Sequence, residues 1–146
     1  MAETEEKVAE FIRLESAEDR LRLVCRRVQM CYEDGASVAV RVASPEEADQ
    51  LDGMMWTFQD ISFIPHVRSG EAEQPVLEPV IIYSVGEPVG GADVLIEAAE
   101  GEPGDHFRQF DHVFDFAEVY DEALKEVSRR RYKAYQEAGY RMRYIR

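Results

Sequence analysis

With 146 residues, 45% of them hydrophobic and 10% aromatic, the chain has the length of a single domain over 1–146. It can bury a core without disulfides or metal, which excludes a disordered protein. No apolar run is long enough to cross a bilayer and MAETEEKVAE has no secretory-signal pattern, so a soluble, cytoplasmic protein is expected. The net charge of −13 is unevenly spread: residues 125–146 hold eight basic against two acidic side chains, a net +6, while the other 124 hold nine against 28, a net −19. An acidic body repels nucleic acid, whereas a local basic segment can still attract one acidic partner.

Val8–Leu14 reads as a weak first strand. In AEDRLRLVCRRVQMCYEDG, Leu21, Val24, Cys25 and Val28 are spaced as on a helix, and Gly35 is its stop. Cys25 and Cys31 fall six residues and about 240° apart on that helix, so a disulfide between them is not expected. In SVAVRVA the valines alternate at 38, 40 and 42 as in a strand. SPEE opens a second helix, with Ser44 as N-cap, Pro45 in the first turn and Glu47 reaching back as a capping box. VIIYSV, ADVLIEAA and HVFDFAEV follow as strands, and Asp121 begins a long helix that ends near Gly139. Strands alternating with helices predict an α/β sandwich: a largely parallel central sheet flanked by helices, of undetermined strand order.

Several kinds of chemistry are missing. There is no GxxxxGK loop followed by Ser or Thr and no GxGxxG between a strand and a helix, so no nucleotide cofactor is expected. The glycines of GEPVGGAD precede a strand and cannot present phosphate to a helix N-terminus. His66, His106 and His112 lack metal-like spacing, and no nucleophile stands with a base. Catalytic and metal residues are therefore predicted to be absent.

Two stretches suggest binding instead. On the second helix Ala48, Leu51, Met55 and Phe58 form a core stripe, and Trp56 sits about 100° round from Met55 at its flank. A tryptophan there can be the edge of a core or an open binding surface, and both readings stand on spacing alone. On the last helix Leu124, Val127, Ala134 and Ala138 form an apolar side, while Lys125, Arg129, Tyr132, Lys133 and Gln136 share another. That second side is either a solvated basic face or a seat for a peptide both acidic and hydrophobic.

These same stretches resemble a known family. LDGMMWTFQDISFIPH is similar to the LDxxLWxxxxxSFxPH signature of the chi subunit of bacterial DNA polymerase III, and YDEALKEVSRRRYKAYQEAGY is similar to that family's C-terminal helix. The resemblance covers roughly residues 17–140; the residues after Tyr140 match no pattern. It implies a three-layer Rossmann-like fold with a mixed, largely parallel sheet and no nucleotide chemistry. It also implies a non-catalytic accessory of the clamp-loader assembly that binds the acidic C-terminal tail of single-stranded DNA-binding protein. The psi subunit, or an equivalent clamp-loader component, would join it to the polymerase through a surface the sequence does not mark. By the same resemblance Trp56 and Phe63 would floor the tail pocket, with Lys125, Arg129, Tyr132 and Lys133 as its rim. A tail ending in aspartates and phenylalanine needs such a slot beside cations, although Glu118, Glu122 and Glu126 nearby would weaken the field. The alternative is a small Rossmann-like enzyme acting on an acidic metabolite through the basic helix.

Overall fold

Along residues 38–42 the valines at 38, 40 and 42 enter one buried cluster and Ala39 enters another, so this strand is covered on both faces. Continuous apolar runs of this kind are what a parallel sheet between two helical layers requires. The computed structural model describes residues 6–57, 64–69, 78–87 and 92–145. Its elements are β1 (Val8–Leu14), α1 (Arg20–Glu33), β2 (Val38–Val42), α2 (Pro45–Thr57), β3 (His66–Arg68), β4 (Val80–Ser84), β5 (Val94–Glu97), β6 (His112–Glu118), α3 (Glu122–Glu137) and β7 (Arg141–Ile145). Short 3-10 turns lie at Ala17–Asp19 and His106–Gln109.

The strands form one sheet in the order β3-β4-β2-β5-β6-β1-β7, with every pairing parallel. The largely parallel sheet expected from sequence is present, and it is wholly parallel among the described strands. One face packs on α1 and α2 through Val24, Cys25, Val28, Leu51 and Met55. The other packs on α3 and the 106–109 turn through Tyr135, Tyr140, Phe107 and Phe110. The result is three layers, helix–sheet–helix.

Local signals explain the element ends. The Ser44 hydroxyl accepts the Glu47 backbone N–H at 3.2 Å, capping α2. Asp121 caps α3 by accepting the Leu124 N–H at 2.9 Å. Gly35 and Gly139 leave α1 and α3 in the left-handed region, at φ 82° and 91°, which only glycine enters freely. β3 and β7 were not anticipated. β3 is three residues long, and β7, RMRYI, carries alternating arginines rather than an apolar run.

Candidate functional site

The flank position of Trp56 turns out to be open: the side chain is 59% exposed at the end of α2. Its ring lies 4.7 Å, centroid to centroid, from His66 on β3. The His66 Nδ1 lies 2.9 Å from the Ile64 carbonyl oxygen, and its Nε2 is 3.2 Å from Asp52 Oδ1 without hydrogen-bond geometry. The imidazole is enclosed and fixes one side of the indole. Phe63 and Phe58 lie outside the described residues.

The basic residues of α3 belong elsewhere. Tyr132 packs on Phe11 of β1, with centroids 5.4 Å apart, and remains 38% exposed. α2 and α3 cover opposite faces of the sheet. Trp56 contacts β3 and Tyr132 contacts β1, five strand positions apart, or about 24 Å at the usual strand spacing. Among the described residues, Trp56 and the α3 cations therefore stand on opposite layers and are not brought together. The reason is topological: the chain passes from one helical layer to the other between residues 57 and 122.

What the fold does assemble around Tyr132 is a different aromatic patch. Tyr144 of β7 is in register with Phe11, so it points to the α3 face, where it is 47% exposed. Arg13, two residues beyond Phe11 on the same face, pairs with the exposed Glu15 at 3.3 Å; the nearby Tyr144 hydroxyl, and then Glu15, hold its guanidinium above its ordinary pKa. Lys125, Arg129 and Tyr132 lie on the flank of α3 that faces β1 and β7, with Lys133 further round and exposed. Because α3 begins at the carboxyl end of β6 and runs back along the sheet, Lys125 and Arg129 lie toward the Arg13 end of this patch. Two open tyrosines on a phenylalanine, bordered by three cations, can hold a peptide with a hydrophobic tip and carboxylates. Sequence reading missed Tyr144 and Arg13, because β7 has no apolar period and Arg13 stood in a strand judged weak.

Of the three acidic neighbours singled out in the sequence, Glu122 and Glu126 are exposed and Glu118 is not. Glu118 is fully buried, held at 2.9 Å by Arg131 and at 3.0 Å by Arg20, so it adds no open negative charge. Glu126 pairs with Arg129, and Glu102 takes Arg130 through two bonds of 2.8 and 2.6 Å.

At the carboxyl edge of the sheet, where open α/β folds commonly hold ligands, the charged side chains serve one another. Arg131 grips Asp115 at 3.0 Å and also donates to the Gly101 and Phe116 carbonyls at 2.9 and 3.1 Å. Burial pulls the Arg131 pKa down, but Asp115 and Glu118 overcome this and hold it above its ordinary value. Arg41 lies 3.2 Å from Glu97, which also contacts His106. A cleft of about 350 Å³ over Arg41, Glu97 and Arg131 is thus lined by groups already paired. Among the described residues, no three His, Cys, Asp or Glu side chains are grouped to hold a metal ion. None of the described helices is long and apolar enough to cross a membrane.

Comparison with known proteins agrees with the motifs. Residues 7–143 match the family model described as DNA polymerase III chi subunit, HolC. A DNA polymerase III subunit chi from Pseudomonas aeruginosa is 32% identical over 123 residues, 83% of this chain and 82% of that protein. The Escherichia coli K12 subunit chi is 29% identical over 121 residues, covering 83% and 81%. The crystal structure of T4 UvsW aligns with a TM-score of 0.53 over 97% of this chain and 42% of that one; at 11% identity this is a likeness of fold alone.

Proposed function

The chain belongs to the DNA polymerase III chi subunit family, and from that premise we propose that it is a non-catalytic adaptor that ties the acidic C-terminal tail of single-stranded DNA-binding protein to the replicase. The observation that carries this reading is the patch of Tyr132, Tyr144 and Phe11 bordered by Arg13, Lys125 and Arg129, a cationic and aromatic seat on a chain of net charge −13. The tail's carboxylates meet the guanidiniums, and its terminal phenylalanine packs on the tyrosines. Arg129 anchors the terminal carboxylate, since its planar fork fits a carboxylate and its own partner, Glu126, is exposed and exchangeable. Lys133 lies further round and acts as a distant point charge.

An adaptor needs a second surface that the first ligand leaves free. Trp56, open on the opposite helical layer, suits that purpose, and we assign it to the polymerase side: the psi subunit or an equivalent clamp-loader component. The paired charges at the carboxyl edge of the sheet support adaptor over enzyme, because among the described residues both arginines lining that cleft, Arg41 and Arg131, are already paired.

Calorimetry with the isolated tail peptide and a panel of nucleotides tests the reading. Arg129→Ala is expected to weaken the peptide by about 1–2 kcal/mol, as for a charge-assisted contact, and Arg130→Ala to change little. Equal losses from both, or turnover of any nucleotide abolished by a substitution in this chain, would overturn it.

A further inference from the structure

β7 is the last strand of the sheet, and among the described residues only β1 pairs with it. The Arg141 N–H donates to the Lys7 carbonyl at 2.7 Å, which fixes the phase of the ladder. In a parallel ladder alternate residues bond to one side, so Arg141, Arg143 and Ile145 turn their backbone groups toward β1. Met142 and Tyr144 turn theirs outward. Four backbone groups are therefore aligned along an open edge, spaced to receive an extended chain.

The side chains select what that chain can be. Tyr144 and Met142 point to the α3 face, where Tyr132 packs on Phe11, the β1 partner of Tyr144, and Arg129 follows on the same flank of α3. Arg141 and Arg143 point to the other face and are exposed. An added strand alternates its side chains between the two faces and meets cations on both. A second copy of this chain would set Arg141 and Arg143 against themselves, the usual way an edge is kept from self-pairing. An acidic segment meets Arg143 and Arg141 on one face, the latter paired only with the exposed Glu6 at 3.3 Å, and the aromatic patch with its cations on the other.

We propose that β7 is a strand-addition edge: an acidic extended segment lying just upstream of the tail tip adds beside Met142–Tyr144 as an eighth strand. This rests on the tail reading above and extends its site, since Tyr144 belongs both to the aromatic patch and to the open edge. The patch takes the tip through side chains, and the edge takes the upstream residues through the backbone, so length and extension of the ligand matter as well as its last residues.

The test uses the full chain and two peptides: an aspartate-rich hexapeptide ending in phenylalanine, and the same peptide lengthened by six residues at its N-terminus. The long peptide is expected to bind about tenfold tighter, the scale of one to two net backbone hydrogen bonds. Methylating alternate backbone nitrogens in the added half should remove that gain in one register and leave it in the register shifted by one residue. Met142→Pro, which deletes an outward N–H while leaving the bonds to β1, should lose the same tenfold. If the peptides bind and depend on Arg129 but methylation in either register has no effect, strand addition is wrong and the tail reading stands. If the short peptide does not bind, or binds independently of Arg129, both fall. Concentration-dependent dimers abolished by Met142→Pro would assign the edge to a second copy and overturn the proposal.

Discussion

Replacing Arg131 by methionine should destabilise the protein more than any other change on α3. The guanidinium is 2% exposed and contacts Asp115 at 3.0 Å, Glu118 at 2.9 Å and two backbone carbonyls. Methionine fills much of the space but leaves two enclosed carboxylates without their common cation. Removing one partner of a buried ion pair costs about 3–5 kcal/mol. Here Tyr135 still donates to Asp115 at 2.7 Å and Arg20 still reaches Glu118, so the loss should fall near the lower end, at about 3 kcal/mol. The deficit should also depend on pH. Burial, opposed by Arg131, already holds the Asp115 carboxyl above its usual range. A carboxyl raised in the folded state contributes stability below the unfolded value of about 3.9, and that contribution is lost as pH rises through the folded value. Deleting Arg131 raises the folded value further, so the deficit should be greatest at neutral pH and shrink toward pH 4. Urea unfolding at several pH values measures this, and adding Asp115→Asn should recover part of the loss at pH 7. A pH-independent loss below about 1 kcal/mol would mean that Arg131 contributes packing and not charge compensation.

Trp56→Ala should leave the fold intact and tail affinity within about twofold of wild type, because the indole is 59% exposed on the opposite layer; loss of polymerase-side capture would appear in a pull-down with clamp-loader components. A large drop in tail affinity would place the tail across both layers and refute the separation. Cys25 and Cys31 should resist a thiol reagent at pH 8 until the protein unfolds, since burial pushes their thiols up to about 12 and about 11; rapid native labelling would contradict that burial.

The fold was largely legible because its signals are local and redundant. Alternating valines, a serine N-cap before proline and glycines after two helices each specify an element end without reference to the rest of the chain. β3 and β7 escaped for physical reasons. β3 is too short to show a period, and β7 is an edge strand, whose arginines alternate because neither face is fully covered. The site was legible only in halves. Helical spacing put Lys125, Arg129, Tyr132 and Lys133 on one side of α3, of which Lys133 lies further round, since such placement depends on 100° steps alone. Joining that face to Trp56 needed the layer each helix covers, which depends on crossovers between distant strands and leaves no trace in either motif. The same missing information concealed Tyr144 and Arg13, which reach the patch only through pairing in β1 and β7.

The run Arg129-Arg130-Arg131 shows how little a count of charges says about a surface. Steps of 100° along α3 send these neighbours in three directions. Arg129 stays on the open flank toward Tyr132, with only an exposed glutamate beside it. Arg130 turns toward the opposite flank, where Glu102 holds it through two bonds, tightly enough that its carboxylate partner titrates below the ordinary range. Arg131 turns inward and is neutralised by Asp115 and Glu118. Of the three, only Arg129 faces the patch, and its partner there, Glu126, is exposed. The net +6 of residues 125–146 therefore overstates the cations available at the patch, and Arg13, outside that segment, supplies one that the count leaves out. Attraction at this site comes from a few placed guanidiniums and ammoniums at short range, against the long-range repulsion of an acidic body. Added salt weakens the exposed contacts and the repulsion together, so the salt dependence of tail binding should be shallower than the charge of the basic segment alone implies.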